Sequence, residues 1–447
     1  MNQSANLICI NPKCGKKFPI KSFQIKCDKC DFLLDVSYAE TPSPKLKDTF
    51  YERRNPQGSI YNESGVWRFR ELLNFCEIDT DDIVQCSKFL VSLDGAEGRQ
   101  SKPYHMSKVA NFINTNNENL MLQPEGYNPS GSFKDNGMSS AVTHAKLMGA
   151  TKIICASTGN TSASAGMFAA NENMECDVYI PDGQIAPGKL SQAYQFGTQM
   201  IKVNGNFDDA FTKSLEAAKH AGSYTVNSVN PFRIEGQKTI PFRALEFLNW
   251  DVPDWIVYPG GALGNTSSCG KSLMELYKWG WIKKIPRIAV INAEGANTLY
   301  QLYNGKFEGE ELRWNNGVPN LELVEKYYKR MNEDEKLKPK TKATAIQIGK
   351  PANMTKGLRA LEYSDGVVIQ VSDKEMLDGM SAVGLNGFDC EMASGATVAG
   401  IKKLLDSEVI KKDDKIVGIL TGRQKEPMLP IEYHNDPNNK FAIPPKS

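Results

Sequence analysis

The sequence predicts an α/β protein with two doubly wound parallel-sheet domains and a small cysteine ribbon at its start. Three observations carry this. From Leu120 to Ala221 short apolar runs alternate with segments of helical spacing. The same alternation resumes at Trp255 and continues to Leu420. Turns rich in glycine and hydroxyl residues follow several strand ends, as in sheets built from strand–helix–strand units.

The elements justify themselves in order. Cys9, Cys14, Cys27 and Cys30 read C-x4-C-x12-C-x2-C, two thiol pairs joined by a short hairpin-like stretch. That spacing fits a structural zinc ribbon, since four thiolates leave zinc no open position. The alternative is four free cysteines or a ribbon without metal. Glu40–Pro56 is polar and proline-bearing, a connector, and an amphipathic helix starts within Gly65–Leu73. Residues 80–117 are mixed, with Asp94-Gly95 as a turn.

Strand Leu120–Pro124 leads to helix Asn136–Met148, and Lys152–Ala156 to helix Thr161–Asn171. Asp177–Ile180 leads to Lys189–Phe196, and Met200–Val203 to Phe207–Ala221. In the second set, strand Trp255–Tyr258 leads to helix Thr266–Trp279, followed by strand Arg287–Ile291. Trp314–Lys342 reads as a charged, irregular surface excursion. Strand Gly366–Val371, helices Asp373–Val383 and Ala393–Leu405, and strand Lys415–Leu420 complete the set. The expected division is a ribbon at 1–40, and a connector with the N-terminal part of the large domain at 41–119. A small domain follows at 120–228, the large domain at 229–425, and a surface tail at 426–447.

Composition excludes several function classes. Lys+Arg is 53 and Asp+Glu is 52 in 447 residues, so a net charge of +1 gives no footprint for nucleic acid or an anionic membrane. No apolar run approaches the ~20 residues of a membrane span. Met1–Asn6 lacks the basic and apolar segments of a signal peptide. Ten cysteines, six of them scattered singly, fit a reduced, cytoplasmic setting.

The chemistry gathers at strand ends, where wound parallel sheets bind ligands. Gly126–Asn136 reads GYNPSGSFKDN and puts Lys134 in the first turn of a helix. A helix N-terminus disfavours an ammonium, so a lowered pKa and a nucleophilic amine are expected there. The bland alternative is a surface lysine. Ser157-Thr158-Gly159-Asn160-Thr161-Ser162 offers backbone N–H groups and four hydroxyls to an anion; alone it could be only a well-capped helix start. Gly260-Gly261-Ala262-Leu263-Gly264-Asn265 lets backbone close on a phosphate, though it could be only a tight turn. Thr421 puts a hydroxyl at the end of the last strand. An amine, a phosphate loop and a hydroxyl for a ring nitrogen together suit pyridoxal phosphate. Asn265–Ser272 nearly spells a nucleotide P-loop, but its first glycine is one place early and the stretch looks helical.

These segments resemble the threonine synthase family of fold-type II pyridoxal phosphate enzymes, which share the tryptophan synthase β-like fold. The resemblance covers most of the chain. It rests on Ser64–Leu72, Ser130–Gly137, Cys155–Ser164, Asn227–Thr239, Gly260–Asn265, Ala345–Gly349 and Leu420–Gly422; some members also carry a cysteine ribbon. It implies that Lys134 forms the Schiff base and moves protons, and that Asn160 bonds the cofactor's 3′-oxygen. Gly261, Ala262, Leu263, Gly264 and Asn265 would hold the cofactor phosphate, and Thr421 would face the pyridine nitrogen. The implied substrate is O-phospho-L-homoserine, converted with water to L-threonine and phosphate. Its carboxylate would meet Ser157, Thr158 and Thr161. Its phosphate would meet Asn227, Ser228 and Arg233, unless Arg233 merely pairs with Glu235. A homodimer is common in the family. Two departures stand out: Thr421-Gly422-Arg423-Gln424 replaces the family's Thr-Gly-His-Gly, and Ala262 stands where many members have Asn. The rival is a sister enzyme acting on O-phosphoserine with another nucleophile. A third reading, from another class, is a non-catalytic binding protein whose ribbon recruits a partner.

Overall fold

The computed structural model describes residues 5–54, 60–75, 101–182, 187–205 and 207–443. The expected turn at Asp94-Gly95 lies outside them, as do both ends of the chain. Twelve strands occur among the described residues. The ribbon holds β1 (Ala5–Cys9), β2 (Lys17–Pro19) and β3 (Leu34–Tyr38). Then come β4 (Leu120–Pro124), β5 (Lys152–Ala156), β6 (Glu175–Pro181), β7 (Gln199–Val203) and β8 (Ser223–Thr225). The last four are β9 (Trp255–Pro259), β10 (Arg287–Ala293), β11 (Val367–Val371) and β12 (Ile416–Leu420).

The chain divides into two compact units, Met1–Gln100 with Tyr127–Glu246, and Ser101–Gly126 with Phe247–Ser447. In the first unit the ribbon is an antiparallel sheet of order β2-β1-β3. The wound sheet has order β7-β6-β5-β8, every pair parallel. The chain steps from β5 to one side and later returns to the other, so the strand order reverses between β5 and β8. In the second unit the order is β11-β10-β9-β12-β4, again parallel throughout. Here the reversal falls between β9 and β12. Its central strands, such as Trp255-Ile256-Val257-Tyr258-Pro259, are buried along their whole length, as expected of a sheet covered on both faces.

Several expectations are revised. Leu120–Pro124 does not open the first sheet; it pairs with β12, Leu120 against Ile416. Sequence adjacency to the Lys134 helix hid this long-range pairing. Residues 229–246, assigned by sequence to the large domain, cluster with the first unit. The excursion Trp314–Lys342 contains a helix, Leu321–Glu333, whose N-cap Asn320 accepts from the Leu323 N–H at 3.1 Å. Its buried Leu323, Val324, Tyr327 and Met331 form one face, masked in the sequence by surrounding charge. The tail holds a helix, Met428–Asn435, tied down by Tyr433 donating to Asp378.

The ribbon is plugged into its own unit by aromatic packing around His144, on the helix Lys134–Leu147. The Phe232 ring stacks on the imidazole at 3.4 Å, and Phe23 of the ribbon lies 4.2 Å from the Tyr224 ring. His144 Nε2 lies 3.1 Å from the Ile20 carbonyl and Nδ1 2.8 Å from the Tyr224 hydroxyl. The carbonyl only accepts, so Nε2 carries the hydrogen and Nδ1 accepts from tyrosine. Burial pushes this imidazole down to about 3. The unfolded chain therefore takes up a proton below about pH 6.5 that the folded chain refuses. Stability is full above that value and falls as pH drops toward 3, by up to about 1.4 kcal/mol per pH unit from this group. In urea titrations across this window, His144→Gln is expected to show the shallower pH dependence.

Candidate active site

In the first unit, the turn before Lys134 is fixed by one buried carboxylate. Asp135 accepts from the Ser130 N–H at 2.8 Å and from the Ser130 hydroxyl at 2.5 Å. Gly131 sits at φ +86°, where a side chain would be strained, and donates to the Asn128 carbonyl at 2.7 Å. Lys134 is the first residue of its helix, two residues earlier than expected. It is half-buried, with Nζ 3.6 Å from the centre of the Phe133 ring.

The other candidates of this unit meet where its strand order reverses. The C-terminal end of β5 runs into Ser157–Ser162, and that of β8 into Val226–Asn230. The two loops are laced together: the Val226 N–H donates to Ile154 at 2.8 Å. Asn227 accepts from the Ala156 N–H at 3.1 Å and donates to the Ala156 carbonyl at 3.0 Å. Asn227 thus clamps the loops, a positioning role that sequence did not suggest. Ser157, Thr158, Asn160 and Thr161 are half-buried around the start of the helix Asn160–Asn171. The hydroxyls of Ser157, Thr158 and Thr161 at a helix N-terminus suit a carboxylate; the Ser157 hydroxyl also accepts from the Gly159 N–H at 3.2 Å.

Arg233 lies on the helix Pro231–Gln237, whose N-cap Asn230 accepts from the Phe232 N–H at 2.8 Å. The guanidinium is only 1 % exposed, donates to the Val226 carbonyl at 3.1 Å, and leaves Nε without a partner. Burial pulls it down to about 10, with Cys155 and Asp135 opposing, so it is still charged at neutral pH. Glu235 is not its counterion. That carboxylate pairs with Lys238 at 2.7 Å and accepts from Tyr38 of β3. A buried, incompletely partnered guanidinium beside the reversal point is a ready anion holder.

The helices of Lys134 and Arg233 touch backbone to backbone. A Cβ on Gly236 would lie 1.9 Å from the Asn136 carbonyl oxygen, and one on Gly137 2.7 Å from that of Arg233. Sequence reading marked neither glycine, since helical spacing alone gives no sign of the partner helix.

In the second unit, Gly260–Gly264 and Thr421 come together at the other reversal point. The β9–β12 register pairs Gly418 with Val257, placing both strand ends side by side. Gly260 donates to Ile291 at 2.7 Å and accepts from Asn292 Nδ2 at 2.8 Å. Leu263, at φ +64°, turns the chain into the helix Gly264–Lys278. Asn265 Oδ1 and Thr266 Oγ1 in its first turn are buried without partners. Thr421 is buried; its hydroxyl lies 3.2 Å from a Glu391 oxygen and 3.3 Å from Ser394 Oγ. The near-P-loop Asn265–Ser272 is helix interior, and its Lys271 pairs with Glu275.

Comparisons with known proteins fit this geometry. Residues 103–422 match the family model "Pyridoxal-phosphate dependent enzyme". A curated threonine synthase of Methanocaldococcus jannaschii is 36 % identical over 95 % of this chain and 94 % of its own length. The chain belongs to the threonine synthase family. A relative from Methanosarcina acetivorans is 33 % identical over 97 % of this chain and 95 % of its own. One from a Bacillus species is 40 % identical over 69 % and 78 %. Solved structures share the fold. Diaminopropionate ammonia lyase of Escherichia coli superposes at TM-score 0.59, with 13 % identity, over 80 % of this chain and 91 % of that one. An L-serine ammonia-lyase of Rhizomucor miehei gives 0.58 and 18 %, over 75 % and 98 %. Membership of the threonine synthase family brings pyridoxal phosphate as cofactor, and the residues present fit it. A phosphate needs a glycine-built loop with donors left over. The loop at Gly260–Gly264, followed by the unpartnered Thr266 hydroxyl in the helix's first turn, supplies that.

The ribbon thiols also fit a metal. All four Sγ atoms lie within 4.8 Å of one another, Cys9–Cys30 at 3.4 Å and Cys14–Cys27 at 3.7 Å. A tetrahedral site with Zn–S near 2.3 Å has edges of about 3.8 Å. No helix among the described residues is long and apolar enough to cross a membrane.

Proposed function

We propose that this protein is a threonine synthase, converting O-phospho-L-homoserine and water to L-threonine and phosphate. Family membership supports the reaction; the observation that carries the phosphorylated substrate is the buried Arg233 with its unpartnered Nε. Lys134 is the amine that holds the cofactor aldehyde, Asn160 bonds its 3′-oxygen, and Gly261, Ala262, Leu263, Gly264 and Asn265 take its phosphate. Thr421 faces its ring nitrogen. When bound, the cofactor delocalises the charge left at the substrate's Cα.

The chain's own groups do the rest. Ser157, Thr158 and Thr161 fix the substrate carboxylate, and the helix N-terminus behind them favours its charge. Arg233 and Ser228 hold the phosphate, while Asn227 sets the loop spacing. Lys134 takes the Cα proton once displaced by the substrate amine, and returns a proton at the end. Loss of a Cβ proton lets phosphate depart from Cγ; a proton is then delivered to Cγ, the hydroxyl of water adds at Cβ, and a proton returns to Cα. The test is phosphate release coupled to detection of threonine. Release from O-phosphoserine but not from O-phosphohomoserine would favour the sister-enzyme reading, and a colourless protein after cofactor addition would sink both.

We further assign structural zinc to Cys9, Cys14, Cys27 and Cys30. Metal analysis of fresh protein is expected to give about one zinc per chain; none at all would remove the assignment. A homodimer, common in the family, and a cytoplasmic setting, in line with the reduced cysteines, complete the proposal.

A further inference from the structure

We infer that Tyr38, on the cysteine ribbon, is a positioning residue for the substrate phosphate, because it holds the helix that carries Arg233; this rests on the reading that Arg233 meets that phosphate. The helix Pro231–Gln237 has only seven residues, too few to keep its place unaided. It is anchored at each end. At the front, its cap Asn230 donates through Nδ2 to the Thr225 carbonyl at 2.8 Å, which ties it to β8. At the back, Glu235 and Lys238 pair at 2.7 Å with neither side chain exposed. The ribbon completes that pair. Tyr38 of β3 donates to Glu235 Oε2, and Lys238 Nζ lies 4.6 Å from the centre of the Tyr38 ring. One side chain from 197 residues away thus offers a hydroxyl to the buried anion and a ring face to the buried cation.

A buried ion pair holds its place only where further hydrogen bonds satisfy it. Without the Tyr38 hydroxyl, Glu235 loses a donor and the back of the helix loses its anchor. Gly236 already touches the Lys134 helix, where a Cβ would lie 1.9 Å from the Asn136 carbonyl oxygen. Relaxation therefore carries the Arg233 helix away from that contact, and the guanidinium goes with it. A charged fork of N–H groups loses much of its hold when it is misplaced. The Lys134 turn keeps its own bonds between Asp135 and Ser130, so the reacting amine stays where it is. The effect of Tyr38 thus falls on phosphate binding rather than on the chemical step.

The test compares the holoenzyme with its Tyr38→Phe, Arg233→Met and doubly substituted forms, by kinetics with O-phosphohomoserine and by calorimetry with inorganic phosphate. Tyr38→Phe is expected to raise KM and weaken phosphate binding about tenfold, with kcat within about twofold of the parent. In the Arg233→Met background the same substitution is expected to lower kcat/KM no further, since it acts through that arginine. Parent-like KM and phosphate affinity in Tyr38→Phe overturn the inference. So does a fall in kcat alone, or a loss of equal size in both backgrounds. If Arg233→Met itself leaves phosphate binding unchanged, the placement of the phosphate fails instead, and the inference with it. The parent gives a second readout, which stands even where Tyr38→Phe does not fold. Coupling is reciprocal, so saturating inorganic phosphate is expected to slow amide hydrogen exchange in Leu34–Tyr38 about tenfold. Exchange there that ignores phosphate also overturns the inference.

Discussion

Replacing Lys134 with alanine is expected to abolish turnover of O-phosphohomoserine, with a loss on the order of 10⁴-fold or more in kcat. The reason is that one amine has three tasks: it holds the cofactor, takes the Cα proton and gives one back. No other lysine is placed at that turn, whose shape is set by Asp135 bridging to Ser130 and by Gly131 at positive φ. The variant keeps these bonds, so it should fold. The measurement is phosphate release, read alongside the absorbance of protein incubated with pyridoxal phosphate. The variant should lack the visible band that the parent shows and should release no phosphate. Phosphate release at even a tenth of the parent rate would show that another group moves the protons.

Arg233→Met gives the second large effect. Methionine fills similar space but has no donors, so the buried site loses its charge and its fork of N–H groups. We expect kcat/KM for O-phosphohomoserine to fall by about 10²-fold or more, as when a buried charged hydrogen bond is cut. Cofactor binding should stay near the parent value, since Arg233 belongs to the substrate half of the proposal. Inorganic phosphate should also cease to inhibit. An unchanged kcat/KM would move the phosphate site elsewhere. The substitution removes an unpartnered Nε from a buried site but also the donor to the Val226 carbonyl, so the two effects oppose and thermal stability is expected to stay near the parent's.

Much of this was legible beforehand for a physical reason. Residues 120–124 and 152–156 are strands bounded by turns, and their limits are written locally. The turn chemistry is also local: Ser130, Gly131 and Lys134 lie within five residues. What escaped the sequence depends on partners far along the chain. The β4–β12 pairing joins residues 120 and 416. Asn227 was expected to meet substrate phosphate, yet its amide is engaged with Ala156, 71 residues away. Glu391 and Ser394 approach Thr421 across 30 and 27 residues, and no spacing announces that. The helix Leu321–Glu333 was hidden differently, by charges on the face turned from the core.

The bare backbone crossing of Gly137 and Gly236 has one more consequence. Those two positions set how closely the helix of Lys134 approaches the helix of Arg233. Adding a methyl group to either would push the rods apart and lengthen the gap from the reacting carbons to the terminal phosphate. With Lys134 and Arg233 in their proposed roles, Gly137→Ala or Gly236→Ala is expected to change the relative kcat/KM for substrates one methylene longer or shorter. Comparing phosphate release from O-phosphohomoserine and O-phosphoserine would read that change.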